Sequence, residues 1–89
     1  MLFNNEIEDI SPLANMPELL SLLINNNKIS NISALSNCTK LCEVHMKSNN
    51  VSDLSPLKSI ETIEYVDFKF NPVNDWSPVR NIAYVRGRK

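Results

Sequence analysis

The stretch NNNKISNIS, residues 25–33, recurs in three near-copies, so that one phrase is spelled four times in 89 residues. NNEIEDISPL runs from Asn4, NNVSDLSPL from Asn49 and NPVNDWSPV from Asn71, and the copies keep a spacing of 22 residues with no insertion. A chain that repeats itself at a period of roughly 20–50 residues builds one structural unit several times and stacks the copies. No single unit of that size can bury its own apolar side.

Stepping by 22 residues sorts the chain into columns of like chemistry. One column is Asn5, Asn27, Asn49 and Asn71. The apolar columns are Ile7, Ile29, Val51, Val73; Ile10, Ile32, Leu54, Trp76; and Leu13, Leu35, Leu57, Val79. Further on come Met16, Cys38, Ile60, Ile82; then Leu19, Leu41, Ile63, Val85; then Leu22, Val44, Val66; and Leu2, Ile24, Met46, Phe68. Pro12, Ala34, Pro56 and Pro78 form one more column.

Within a unit, Leu22-x-Ile24 alternates with period two, which predicts a short strand. The segment SNISALSNCTKL carries apolar residues about every third position. That suits extended or 3₁₀ turns, with three residues per turn, better than an α-helix. The prolines would interrupt a long helix in any case. Each unit is therefore one coil of strand, turn, return segment and turn. Stacked coils place their strands about 4.8 Å apart and lay each apolar column over itself.

The asparagine column answers a separate problem. Where the chain bends out of the strand, inward backbone groups lose their strand partners, and each one left unpaired costs about 1–3 kcal/mol. An asparagine side chain offers both an acceptor and donors. Asn5, Asn27, Asn49 and Asn71 are thus expected to form a structural ladder between coils, which neither Asp nor Leu could do.

The unit LxxLxLxxNxI resembles a leucine-rich repeat. The 22-residue length and the phrase ISPLANMPEL are similar to the subclass of the bacterial internalins and the SDS22-type regulators of protein phosphatase 1. The resemblance covers nearly the whole chain. It implies an α/β solenoid: a short leucine-rich-repeat stack, with a parallel sheet on the concave face and 3₁₀ or extended turns on the convex face. It also implies a role in binding other proteins. The chain departs from the internalin pattern in having no counterpart of that family's N-terminal cap or C-terminal immunoglobulin-like region. Residues 1–89 read as a single domain of about four 22-residue units without obvious caps. Arg88 stands in the column of Leu22, Val44 and Val66, as if the next strand were beginning there.

Strand residues that alternate away from the core are the candidate partner-binding set. They are Ser21, Glu43 and Tyr65; Leu23, His45 and Asp67; and Phe3, Asn25, Lys47 and Lys69. Tyr65 and Phe3 are the natural anchors, because aromatic residues dominate interface energetics. The charges would tune specificity and rate of association. Lys47 is within reach of Asp67 across adjacent strands, a pairing worth little at an exposed site. Each residue taken singly is equally compatible with plain solvated surface. Trp76 is expected in the core, with a contact to a partner as the alternative, and Cys38 as a small buried hydrophobe.

Other chemistries find little support. Net charge is −1, so no overall basic field points to nucleic acid or an anionic membrane. No apolar run approaches the length of a membrane span, and MLFNNEIED lacks the basic and apolar parts of a signal peptide. A cytoplasmic location is the default expectation, and a longer parent chain would leave a secreted or surface location open. Cys38 and Cys42, four residues apart, fit neither a redox pair nor a zinc site and read as free thiols. His45 is the lone histidine, with no nucleophile or ligand set assigned to it. No metal, cofactor or enzymatic activity is expected.

The expected function is a protein-interaction module using the concave sheet and adjacent loops. The alternatives are a fragment or remnant of a longer repeat protein, and, by resemblance alone, a phosphatase-regulatory subunit. Three strands and a partial fourth give a sheet of about 15 by 16 Å, roughly 240 Å². A specific interface buries about 800 Å² per partner. Flanking loops, further coils or self-association through the ends must then contribute.

Overall fold

The computed structural model describes residues 6–88. Leu2, Phe3 and Asn5, assigned above to a core column, the candidate surface and the ladder, lie outside the described residues. Four short strands, β1 (Ser21–Leu23), β2 (Glu43–His45), β3 (Tyr65–Asp67) and β4 (Tyr84–Arg86), alternate with four 3₁₀ turns. The turns are η1 (Ser11–Asn15), η2 (Ser33–Asn37), η3 (Ser55–Leu57) and η4 (Ser77–Val79). The strands form one parallel sheet in the order β1-β2-β3-β4. The structure is thus a short solenoid of stacked coils, as the period predicts, with the parallel sheet that the family resemblance implies.

The three-residue apolar spacing of the return segment has a direct cause. Leu13 N donates to Ile10 O at 2.9 Å, Met16 N to Leu13 O at 3.0 Å and Leu19 N to Met16 O at 3.1 Å. The second coil repeats this with Leu35, Cys38 and Leu41 as donors. Each bond closes a three-residue turn, so every third side chain returns to the same side. Pro12, Pro56 and Pro78 sit in the first positions of η1, η3 and η4, where no backbone N–H is needed. Just before each turn a side-chain oxygen accepts the first N–H: Asp9 from Ser11, Asn31 from Ser33, Asp53 from Ser55 and Asp75 from Ser77, all at 2.8–2.9 Å.

The core lies between sheet and turns. Ile29, Leu35, Leu41, Val44, Met46, Val51, Val66 and Val79 are fully shielded, and Phe68 is 1 % exposed. Cys38 is buried among them, and burial pushes its thiol pKa up. Trp76 is half-buried against this core. Met16 departs from its column and is 47 % exposed. It belongs to the first described coil, which has a described neighbour on one side only.

The fourth coil corrects the constant period. Ser21 pairs with Glu43, and Glu43 with Tyr65, each 22 residues apart. Tyr65 instead pairs with Tyr84, Val66 with Val85 and Asp67 with Arg86, a step of 19. Arg88 is therefore not the successor of Val66, and Val85 leaves the column of Leu19, Leu41 and Ile63. After Ile82 N bonds to Val79 O, the chain enters the strand directly and omits the last three-residue turn. The physical reason is burial. Val85 can sit beneath the sheet beside Val66, whereas the 22-residue register would put the Arg88 guanidinium there.

Candidate protein-interaction surface

In each of the first three strands the middle residue, Leu22, Val44 or Val66, points into the core. The flanking residues face the opposite side of the sheet and form parallel rows, because the register is in step across all four strands. The first row is Ser21, Glu43, Tyr65 and Tyr84. The second is Leu23, His45, Asp67 and Arg86. The backbone ladder continues past the strands: Asn26 N donates to Lys47 O and Ser48 N to Lys69 O, both at 2.8 Å. That continuation makes a third row of Asn25, Lys47 and Lys69.

The rows have internal structure. His45 Nε2 and Glu43 Oε1 are 3.0 Å apart. The imidazole stacks on the Tyr65 ring, with centroids 4.9 Å apart and 30° between the planes. Asn25 Oδ1 accepts from Lys47 N at 2.8 Å, and Asp67 Oδ1 from Lys69 N at 3.0 Å. Asp67 is only 8 % exposed, so it acts mainly as a backbone cap rather than as a surface charge. Lys47 forms no ion pair with Asp67. The three ion pairs among the described residues are Lys28 with Glu6, Lys40 with Glu18 and His45 with Glu43.

Tyr84 and Arg86 extend the surface and are absent from the set read from the sequence. Tyr84 is 67 % exposed. The signal was present in the repeated pair Tyr65-Val66 and Tyr84-Val85, but the fixed 22-residue step hid it. Phe70 was missed as well. It is 78 % exposed and holds φ at 61°, in the left-handed region also occupied by its column mates Asn26 and Ser48.

The asparagines below this surface bond across coils. Asn49 Oδ1 accepts from Ile29 N at 3.1 Å, and its Nδ2 donates to Ile24 O and Met46 O, both at 3.0 Å. Asn71 repeats the pattern with Val51 N at 2.9 Å and Met46 O at 2.8 Å. Asn27 accepts from Ile7 N at 3.2 Å and donates to Ile24 O and Asn25 O. The turn that leaves each strand is thereby fixed to the coil before it.

Among the described residues no group of three or more His, Cys, Asp and Glu side chains gathers as metal ligands would. Among them, too, no helix is long and apolar enough to cross a membrane. On the convex side, the Ser11, Ser55 and Ser77 N–H groups, helped by their hydroxyls, hold the Asp9, Asp53 and Asp75 carboxyls below their ordinary pKa.

No protein-family model matches the chain, and no curated protein matches it by sequence. Solved structures do. Internalin C2 of Listeria monocytogenes superposes with a TM-score of 0.87 at 34% identity over 96% of this chain. The internalin inlF of the same organism gives a TM-score of 0.87 at 28% identity over 97%. The chain spans 40% of the length of the first and 28% of the second. A parallel sheet facing one way, 3₁₀ turns facing the other and asparagines bonded between coils make this chain an internalin-like leucine-rich-repeat protein, a fold of a protein-binding kind.

Proposed function

We propose that the chain binds a protein partner across the concave rows, with the turn carrying Phe70 as a flank. The observation that carries this reading is the line of rings on an open sheet, His45 stacked on Tyr65 and Tyr84 in register beside it. Exposed aromatic groups held on rigid strands make contact area at small entropic cost. Four strands offer about 19 by 16 Å, roughly 300 Å². This is still below the ~800 Å² of a specific interface. The exposed Phe70 and Leu20 side chains border the sheet and supply further apolar area.

The reading is non-enzymatic. Changing Leu23, His45, Tyr65 and Tyr84 together to Ala tests the proposal in a pull-down. Loss of the captured protein with an unchanged circular dichroism spectrum supports it, and undiminished capture overturns it. Asp67 is left intact because it caps the Lys69 amide.

A second reading, a segment of a longer array or a self-associating one, draws on an open apolar recess of about 250 Å³ lined by Ile7, Ile10, Leu13, Leu22 and Ile24. Sedimentation as a monomer across a wide concentration range would count against self-association. A phosphatase-regulatory role rests on resemblance alone, and co-purification with a phosphatase catalytic subunit would support it.

A further inference from the structure

We propose that the partner segment lying across β2 to β4 is acidic: an extended, carboxylate-rich stretch of protein. Its apolar side chains rest on Tyr65 and Tyr84, and its carboxylates meet Lys47, Lys69 and Arg86. The inference deepens the protein-binding reading and rests on it.

The first support is the disposition of charge on the concave rows. Glu43 is engaged by His45, and Asp67 is nearly buried and capping Lys69 N. Lys47, Lys69 and Arg86 form no ion pair among the described residues, although Arg86 is in register opposite Asp67. The chain does build ion pairs between coils elsewhere. Lys28 meets Glu6 at 3.1 Å and Lys40 meets Glu18 at 2.8 Å, each across one 22-residue step. The same step on the concave side sets Lys47 beside Lys69. Like charges side by side on adjacent strands disfavour the fold. An incoming carboxylate would relieve that repulsion.

A second support is the location of the acids. Asp9, Asp53 and Asp75 are committed to the convex turns, where each accepts a serine N–H. A formal net charge of −1 therefore conceals a locally positive concave surface. Complementary potentials of this kind select partners and speed their encounter. A single-stranded nucleic acid is the rival occupant, since it too would use rings and cations. The formal net charge of −1 disfavours it, because nucleic-acid binding draws on a broad basic field, whereas a short acidic segment needs only these local cations.

The test is selection of random dodecapeptides displayed on phage against the whole chain. An enriched peptide is then synthesised and measured by fluorescence anisotropy. We expect enriched sequences to carry net negative charge. Binding should weaken by about tenfold or more in the Lys47→Gln/Lys69→Gln/Arg86→Gln variant, and as salt rises from about 0.05 to 0.5 M. It should also weaken in Tyr84→Ala, while Lys58→Gln, an exposed position just beyond η3, leaves it unchanged. Circular dichroism verifies the fold of each variant. Neutral or basic clones that are lost on Tyr65→Ala would overturn the acidic reading and leave the concave one standing. Clones indifferent to every concave substitution would overturn both, and no enrichment would overturn the acidic reading. Tighter binding of an oligothymidylate, lost in the same variants, would overturn it in favour of nucleic acid.

Discussion

At the scale of single residues, two side chains illustrate opposite balances. Asn49 is 4 % exposed, and both ends of its amide are used. Asn49→Ala would leave Ile29 N and the Ile24 and Met46 carbonyls without that partner inside the stack. Ile24 O keeps its bond from Asn27 and Met46 O its bond from Asn71, so Ile29 N is the buried group left unpaired, and the expected loss is about 1–3 kcal/mol, read as a lower urea midpoint. Asn49→Asp should not rescue it, because a carboxylate can accept from Ile29 but cannot donate to two carbonyls. Phe70 is the reverse case. Its left-handed backbone costs a non-glycine residue about 1–2 kcal/mol, and its ring gains little from burial. Phe70→Asn, matching Asn26 in the same column, should raise the urea midpoint by the equivalent of about 1 kcal/mol. If the flank takes part in binding, the same variant should bind the partner less well.

At the scale of the element, the turns and the last strand carry separate predictions. The carboxyl of Asp53 is held below its ordinary value of 3.8 because the Ser55 N–H and hydroxyl both donate to it. A depressed folded pKa stabilises the fold above the unfolded value and loses that contribution as pH falls through the folded one. Stability should therefore be flat near neutrality and decline below about pH 4. Asp53→Asn keeps the acceptor but removes the titration, as Asn31 does naturally in η2. The variant should be slightly less stable than the parent at pH 7, converge with it as Asp53 protonates in acid, and so show a shallower acid limb when urea midpoints are compared across pH.

The strand β4 depends on the chain's one glycine. Gly87 has φ at 106°, and a Cβ there would stand 2.9 Å from Lys69 N. Gly87→Ala must displace backbone on one side or the other, at a cost of about 1–3 kcal/mol. The Phe68 amide, which donates to Arg86 O at 3.1 Å, should lose protection in hydrogen exchange. Amides between β1 and β2 should keep theirs, since repeat proteins couple mainly through nearest neighbours.

At the scale of the whole molecule, the 22-residue columns supplied most of the architecture in advance. They read correctly the stacked coils, the short strands and the extended or 3₁₀ character of the return segment, and the family resemblance added the parallel sheet. Periodicity reports burial, and burial repeats from coil to coil. The concave rows followed from alternation for Ser21, Leu23, Glu43, His45 and Tyr65, which all stand on the face away from the core. The same rule placed Asp67 outward but could not reveal that its carboxylate turns back onto the Lys69 amide. It also failed at β4, where one three-residue turn is omitted.

The sequence by itself determined the repeating coil, because like residues at a fixed step can all be buried only by stacking. The tertiary structure alone decided the register of the last coil. There, keeping Arg88 out of the core and placing Val85 beneath the sheet outweighed the constant spacing. That shift brought Tyr84 beside Tyr65 and Arg86 beside Asp67, and with them the aromatic and cationic character of the surface. Which side chains neighbour one another across strands depends on how many residues each return segment spends, and only the packed coils fix that number.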